Sequence, residues 1–201
     1  MPDPRFAKLV LVVNGCVPLA LLCYDASRGG LGANPVAFAL STTGMVALIF
    51  LTLSLAVTPL RKITGYNYFS HFRRSLGLFA FFYGSIHLAI YFAFDRSLNL
   101  ASTFEDISRR PFIFAGMIAL VLMLPLALTS TNGMIKRLGA KRWKALHRLA
   151  YVSAIMGVAH FYLLVKADAR QPVTFAAILL ILFALRLPIF RSPGRRSAPT
   201  A

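Results

Sequence analysis

Three imidazoles stand inside apolar stretches: His87 in LFAFFYGSIHLAIYFAF, and His147 and His160 in LHRLAYVSAIMGVAHFYLLV. An ionisable ring in hydrocarbon is costly, so it marks a functional site by default. Imidazole has three uses there. It can be an axial ligand to haem iron, a link in a proton relay, or an interhelical hydrogen-bonding group. The fourth histidine, His71, lies in or next to a loop beside Arg73 and Arg74. Solvation is its plain role, and partnership with His147 on a second iron is the sharper one.

The elements that must hold these rings are membrane helices. Of the 201 residues 58% are hydrophobic, and the mean hydropathy is +0.69, too high for a soluble domain. The apolar runs are continuous rather than alternating, which predicts helices and not barrel strands. Six stretches approach the length needed to cross about 30 Å of hydrocarbon. They cover residues 8–24, 36–58, 75–94, 111–130, 147–165 and 173–190. The first is the weakest, being short and carrying Asn14 and Pro18. The fold expected is therefore an all-α polytopic bundle of six transmembrane helices. It makes one membrane domain over 1–191, followed by a disordered basic cytoplasmic tail over 192–201.

The net charge of +16 does not point to nucleic acid, because the basic residues cluster between apolar runs. With the N-terminus inside, the inner segments hold Arg5, Lys8, Arg61, Lys62, Arg73, Arg74, Lys136, Arg137, Lys141, Arg142, Lys144, Arg148, Arg186, Arg191, Arg195 and Arg196. That is 16 of the 22 basic residues, leaving Arg28, Arg96, Arg109, Arg110, Lys166 and Arg170 outside. Asp25, Asp95, Glu105, Asp106 and Asp168 lie outside as well, with only Asp3 inside. This bias places both termini in the cytoplasm. Arg5 and Lys8 before an apolar run look like a signal peptide, but no clear cleavage site follows. No GxGxxG follows a strand, and the inner loops are too short for a nucleotide-binding domain. Cys16 and Cys23 are about 10 Å apart along a helix, too far for a bridge between them. Without CxxC or CxxCH, zinc knuckles and covalent haem attachment are unreadable.

On this topology His87 and His160 lie at similar depth in the outer half of the membrane, on the third and fifth spans. Facing imidazoles on two helices are how a bundle holds a b-type haem. His147 begins the fifth span at the inner surface, about 20 Å from His160 along a straight helix. That suits a redox centre near each face. Thirteen residues at about 100° each leave the two rings off a common face, so a helix irregularity or a different haem orientation is required.

The remaining residues have competing roles. Arg73, Arg74 and Arg148 at inner helix ends suit a haem propionate or a flavin phosphate, or simply topology and headgroups. Arg186 is expected to snorkel inward. Trp143, Tyr66 and Tyr68 read as interface anchors. Tyr83, Tyr91, Tyr151 and Tyr162 either line a pocket or pack. Gly77, Gly84 and Gly157 allow close approach of helices or of a flat macrocycle. The acidic residues of the outer loop, Asp95, Glu105 and Asp106, are either solvated or dock a basic partner.

Four segments carry a family resemblance: LTLSLAVTPLRKITG (51–65), RRSLGLFAFFYGSIHLAIY (73–91), RPFIFAGMIALVLMLPLALTS (110–130) and KRWKALHRLAYVSAIMGVAHFYLLVKAD (141–168). With them the chain resembles the ferric-reductase-like transmembrane family. Within it, the likeness is to haem-binding membrane subunits of bacterial periplasmic methionine sulfoxide reductase systems. The resemblance implies His87, His147 and His160 as haem ligands, with one or two haem b groups, and it implies FMN as a family cofactor. It implies electrons passing from membrane quinol across the bacterial inner membrane to a periplasmic MsrP-type molybdopterin reductase, which itself reduces protein methionine sulfoxide. The NADPH oxidases, larger relatives, use two histidines on each of two helices. Here His71 does not clearly match the fourth. The competing function is a histidine-based proton or metal-ion transporter. Against it, the spans show no clear buried Asp or Glu and no paired broken helices.

Overall fold

A computed structural model describes residues 3–187. Side-chain caps begin the first, second, fourth and sixth α-helices. Helix α1 (Pro4–Ser27) starts on Asp3, whose carboxylate accepts from the Arg5 N–H at 2.9 Å. Helix α2 (Pro35–Thr64) starts on Asn34, which accepts from Ala37 N–H, and stops at Gly65 with φ 74°. A tight turn of 3₁₀ helix, Asn67–His71, leads into α3 (Arg73–Ile90). Over Tyr91–Asp95 the α3 backbone loosens to five-residue bonding, with Arg96 N–H on Tyr91 C=O at 3.0 Å. Helix α4 (Leu100–Arg109) is capped by Asn99. Helices α5 (Pro111–Leu128), α6 (Asn132–Leu146), α7 (Leu149–Leu164) and α8 (Arg170–Ala184) complete the order.

The six-span expectation is met in part. Four helices are long and apolar enough to cross a membrane: α1, α2, α3 with its extension to Asp95, and α5, of 24, 30, 23 and 18 residues. Helices α7 and α8 are apolar but have only 16 and 15 residues. The fifth stretch is shortened because the chain turns at His147 and Arg148 before α7 begins. The sixth ends at Ala184. Its expected last residues, 188–190, and the 192–201 tail lie outside the described residues. The first stretch is not short. Pro18 is accommodated because the Tyr83 hydroxyl enters the α1 ladder, donating to Gly15 C=O at 2.7 Å and accepting from Leu19 N–H at 3.2 Å. Two further helices, α4 and α6, occupy segments that hydropathy assigns to loops. Polar faces and short length hide them from such a reading, and α6 is broken at Gly139, with φ 74° and ψ 151°.

The core joins Leu48, Leu51 and Leu55 of α2 to Ala80, Met123, Ala154, Val158, Leu179 and Leu182. Ala80 and Ala154 are fully buried, so small side chains sit where helices meet. Ser153 Oγ donates to Ala119 C=O at 2.8 Å, binding α7 to α5, and Ser54 Oγ donates to Arg73 C=O at 3.0 Å, binding α2 to α3. Large apolar side chains such as Leu9, Ile63, Val121 and Leu180 face outward, as a lipid-solvated surface requires. Helix α2 packs along α3, and α5 along α7. One end of the bundle, the acidic end, gathers five of the six acidic residues, Asp25, Asp95, Glu105, Asp106 and Asp168, together with Arg28, Arg96, Arg109, Arg110, Lys166 and Arg170. The other, the basic end, gathers Arg61, Lys62, Arg73, Arg74 and the basic residues of α6.

Candidate functional site

At the acidic end, α3 and α7 bring His87 and His160 together with ring centres 6.1 Å apart and planes at 88°. Two imidazoles on opposite faces of one iron, each nitrogen at about 2 Å, have ring centres about 6 Å apart. The pair therefore has the separation that a two-histidine haem requires. Each ring is also oriented. His87 Nδ1 lies 3.0 Å from Leu40 C=O, and His160 Nδ1 lies 2.6 Å from Phe112 C=O. A carbonyl only accepts, so Nδ1 carries the proton in both rings and Nε2 keeps its lone pair. This carbonyl bond also makes the imidazole a better ligand.

Two glycines hold the rings from behind. A Cβ on Gly116 would sit 2.7 Å from His160 Nδ1, and one on Gly44 would sit 3.1 Å from the His87 ring. Sequence reasoning misses both, along with Thr43, whose hydroxyl lies 3.4 Å from His87 Nδ1. A glycine inside an apolar run is the available signal, but it does not say which ring lies opposite. The glycines that stand out in the sequence do other work. Gly84 faces Leu120, Gly157 faces Leu48, and Gly77 faces Ser54.

At the basic end, His147 closes α6 just before α7 begins. The break removes the angular conflict with His160, because the two rings are not on one helix. His147 lines a cavity of about 340 Å³ with Arg73, Arg74, Ser130, Trp143 and Gly77. Trp143 stacks on the ring at 3.9 Å between centres and donates its Nε1–H to Thr129 C=O at 3.0 Å. Its place is therefore inside the site, not only at the interface. Thr129 Oγ1 lies 3.2 Å from His147 Nε2 and gives its own proton to Pro125 C=O at 2.7 Å. The hydroxyl must then accept from Nε2–H, so His147 has the opposite tautomer and leaves Nδ1 open.

His71 is exposed at the end of its turn and is absent from the cavity lining, as is the exposed Arg148. Arg73 and Arg74 do line it, and Arg74 donates to Asn132 Oδ1 at 2.8 Å. Arg186 does not simply snorkel. Its guanidinium reaches Tyr151 Oη and Leu55 C=O and lies over the Tyr151 ring at 4.8 Å. Tyr83 packs α1, and Tyr162 is exposed. Among the described residues no three His, Cys, Asp or Glu side chains cluster as a bare-metal cage would require.

A family model described as ferric reductase like transmembrane component matches residues 43–158, a range that includes His87 and His147 and stops just short of His160. The chain is 42% identical over 188 residues to a protein-methionine-sulfoxide reductase heme-binding subunit MsrQ of Herminiimonas arsenicoxydans, covering 92% of this chain and 86% of the relative. It is 44% identical over 197 residues to the MsrQ of Rhodospirillum rubrum, covering 98% and 95%. With the MsrQ of Brucella anthropi it shares 46% over 178 residues, covering 89% and 80%.

Proposed function

The chain belongs to the ferric reductase like transmembrane family, and from that premise we propose that it is the haem-binding membrane subunit of a protein-methionine-sulfoxide reductase system. The observation that carries this reading is the His87–His160 pair, 6.1 Å between ring centres with both Nδ1 atoms on main-chain carbonyls. His87 and His160 would hold haem iron, each ring having its Nε2 lone pair free. The bound haem supplies one-electron transfer, and the protein sets its potential by ligand basicity and burial. Leu40 and Phe112 carbonyls keep the ring protons in place, while Gly44 and Gly116 leave room for the rings.

The haem count is one or two: His147, with Nδ1 open, would hold the second, and Arg73 and Arg74 are placed to bind a propionate or an FMN phosphate in the adjoining cavity. FMN and the quinol donor come from the family resemblance. Positive-inside charge puts the basic end and both termini in the cytoplasm of the bacterial inner membrane, with six spans if α7 and α8 cross with their flanking residues. Electrons then enter from membrane quinol at or near the basic end. They leave from the acidic end to a periplasmic MsrP-type molybdopterin reductase, which carries out the chemistry on methionine sulfoxide.

The test is the visible spectrum of the purified full chain, expressed with ample haem. A reducible b-type band is expected, reduced by a quinol analogue and reoxidised by the oxidised periplasmic partner. His147→Ala should leave the His87–His160 signal in place. A colourless protein would overturn the proposal. A haem that the partner cannot drain would overturn the electron route while leaving the cytochrome.

A further inference from the structure

Away from the histidines, the acidic end holds one enclosed carboxylate. Asp106 is 7% exposed and has partners in the turn that ends α3 and at the start of α5. It accepts from the Tyr91 hydroxyl at 2.9 Å, from Arg96 Nη1 at 3.0 Å and from Arg110 Nε at 3.1 Å. Arg96 also holds Asp95 at 2.7 Å. A carboxylate this enclosed is kept by satisfying both oxygens with charged or phenolic donors.

Each partner leads to one ring of the histidine pair. Tyr91 lies one turn beyond His87, and its backbone N–H bonds the His87 carbonyl. Arg96 ends the loosened turn that follows, where Ser97 and Leu98 both adopt positive φ, 49° and 61°. Arg110 precedes α5, and its carbonyl accepts from Ile113 N–H at 3.0 Å and Phe114 N–H at 3.2 Å. Between them, Phe112 supplies the carbonyl that orients His160. Asp106 thus sits between the end of the His87 helix and the start of the helix that fixes the His160 ring.

We propose that Asp106 is a positioning residue: its carboxylate staples the ends of α3 and α5 and so holds His87 and His160 in ligand geometry. This rests on the haem reading of that pair. Losing the carboxylate removes a negative charge from the end of the bundle that carries the histidine pair and slackens the Phe112 contact that makes His160 a stronger ligand. Both changes favour the reduced iron, so the potential rises.

The experiment uses the full chain with Asp106→Asn, an isosteric change, and Asp106→Glu as the conservative variant. In chain prepared without haem, amide exchange is followed at Arg96, Leu98, Ile113 and Phe114. The Asn variant should exchange about tenfold faster there, with Glu restoring much of the protection. In the haem-loaded chain, the ratio of oxidised to reduced iron at a fixed ambient potential should change about tenfold, equivalent to about 59 mV for one electron. Should the Asn chain not fold, Arg110→Gln removes one arm of the staple and should give a smaller change of the same sign. Unchanged exchange would overturn the staple whatever the haem does. Faster exchange with an unmoved potential and spectrum would overturn the link to the histidines. A wild-type chain that takes up no haem would overturn the haem reading, and the positioning role with it, while the exchange result would still report on the staple.

Discussion

At the acidic end His87 and His160 are backed by glycines, and each gives its Nδ1 proton to a helix carbonyl. At the basic end His147 stands at a helix break, pairs its Nε2 with the Thr129 hydroxyl and lies under Trp143. A main-chain carbonyl within a helix is fixed in direction, so it sets one tautomer and one ring orientation. The Thr129 hydroxyl gives its proton to the Pro125 carbonyl and accepts from His147 Nε2, so it fixes the opposite tautomer and leaves Nδ1 open. The two histidines of the acidic end are therefore held with Nε2 free, whereas His147 at the basic end is held through Nε2 and has open space beside it. That difference fits the proposed route, with a fixed centre at the exit and open space where a separate donor enters.

The comparison can be broken most severely at the ligands. His87→Ala or His160→Ala should remove nearly all haem of the acidic-end site, measured as extractable b-type haem per chain. Intact haem in both variants would show the pair is not the ligand set. Gly116→Ala should come next. Its methyl would lie 2.7 Å from His160 Nδ1 and 3.0 Å from Cε1, and displacing that ring should weaken haem retention by about 10-fold or more. Gly44→Ala meets the His87 ring at 3.1 Å, a contact that a small ring shift relieves. Its expected cost is about threefold in haem affinity, ~0.7 kcal/mol. If the two glycine variants behaved alike, the closer packing inferred at His160 would be wrong. The smallest effect is expected from Thr129→Val, which removes the hydrogen bond to His147 at nearly constant volume. It should lower unfolding stability by about 1 kcal/mol and leave the acidic-end spectrum unchanged. A change in that spectrum would mean that the two ends are not independent.

Much of the acidic-end site is legible in the sequence. His87 and His160 stand in apolar segments, and charge placement sets them at one depth. The facing arrangement follows from those facts, and the ring separation agrees with it. The basic end is less legible. Hydropathy makes His147 the first residue of a helix, but the chain turns there, because apolar character does not register a change of direction at Leu146–Arg148. Trp143 and Thr129 do not stand out as partners of His147, since stacking and hydrogen bonding across a turn depend on side-chain direction, not on residue type alone. Gly44 and Gly116 are distant in sequence from the rings they touch, and no local pattern links them. Length and charge alone send Arg186 to the interface, yet Tyr151 and the Leu55 carbonyl offer it a site within the bundle.

Composition and order alone give a lipid-solvated helical protein whose basic residues cluster between apolar segments and whose apolar segments carry imidazoles. Those properties are sums over residues, and they survive any detail of packing. Which helices meet, which ring nitrogen keeps its lone pair, and which glycine backs which histidine are pairwise matters. They arise only when α2, α3, α5 and α7 pack at fixed angles, because a hydrogen bond or a methyl-sized gap changes sign over a few tenths of an ångström. The buried Asp106 shows the same limit. In sequence it is one acidic residue of a loop, and in the fold it is held by Tyr91, Arg96 and Arg110.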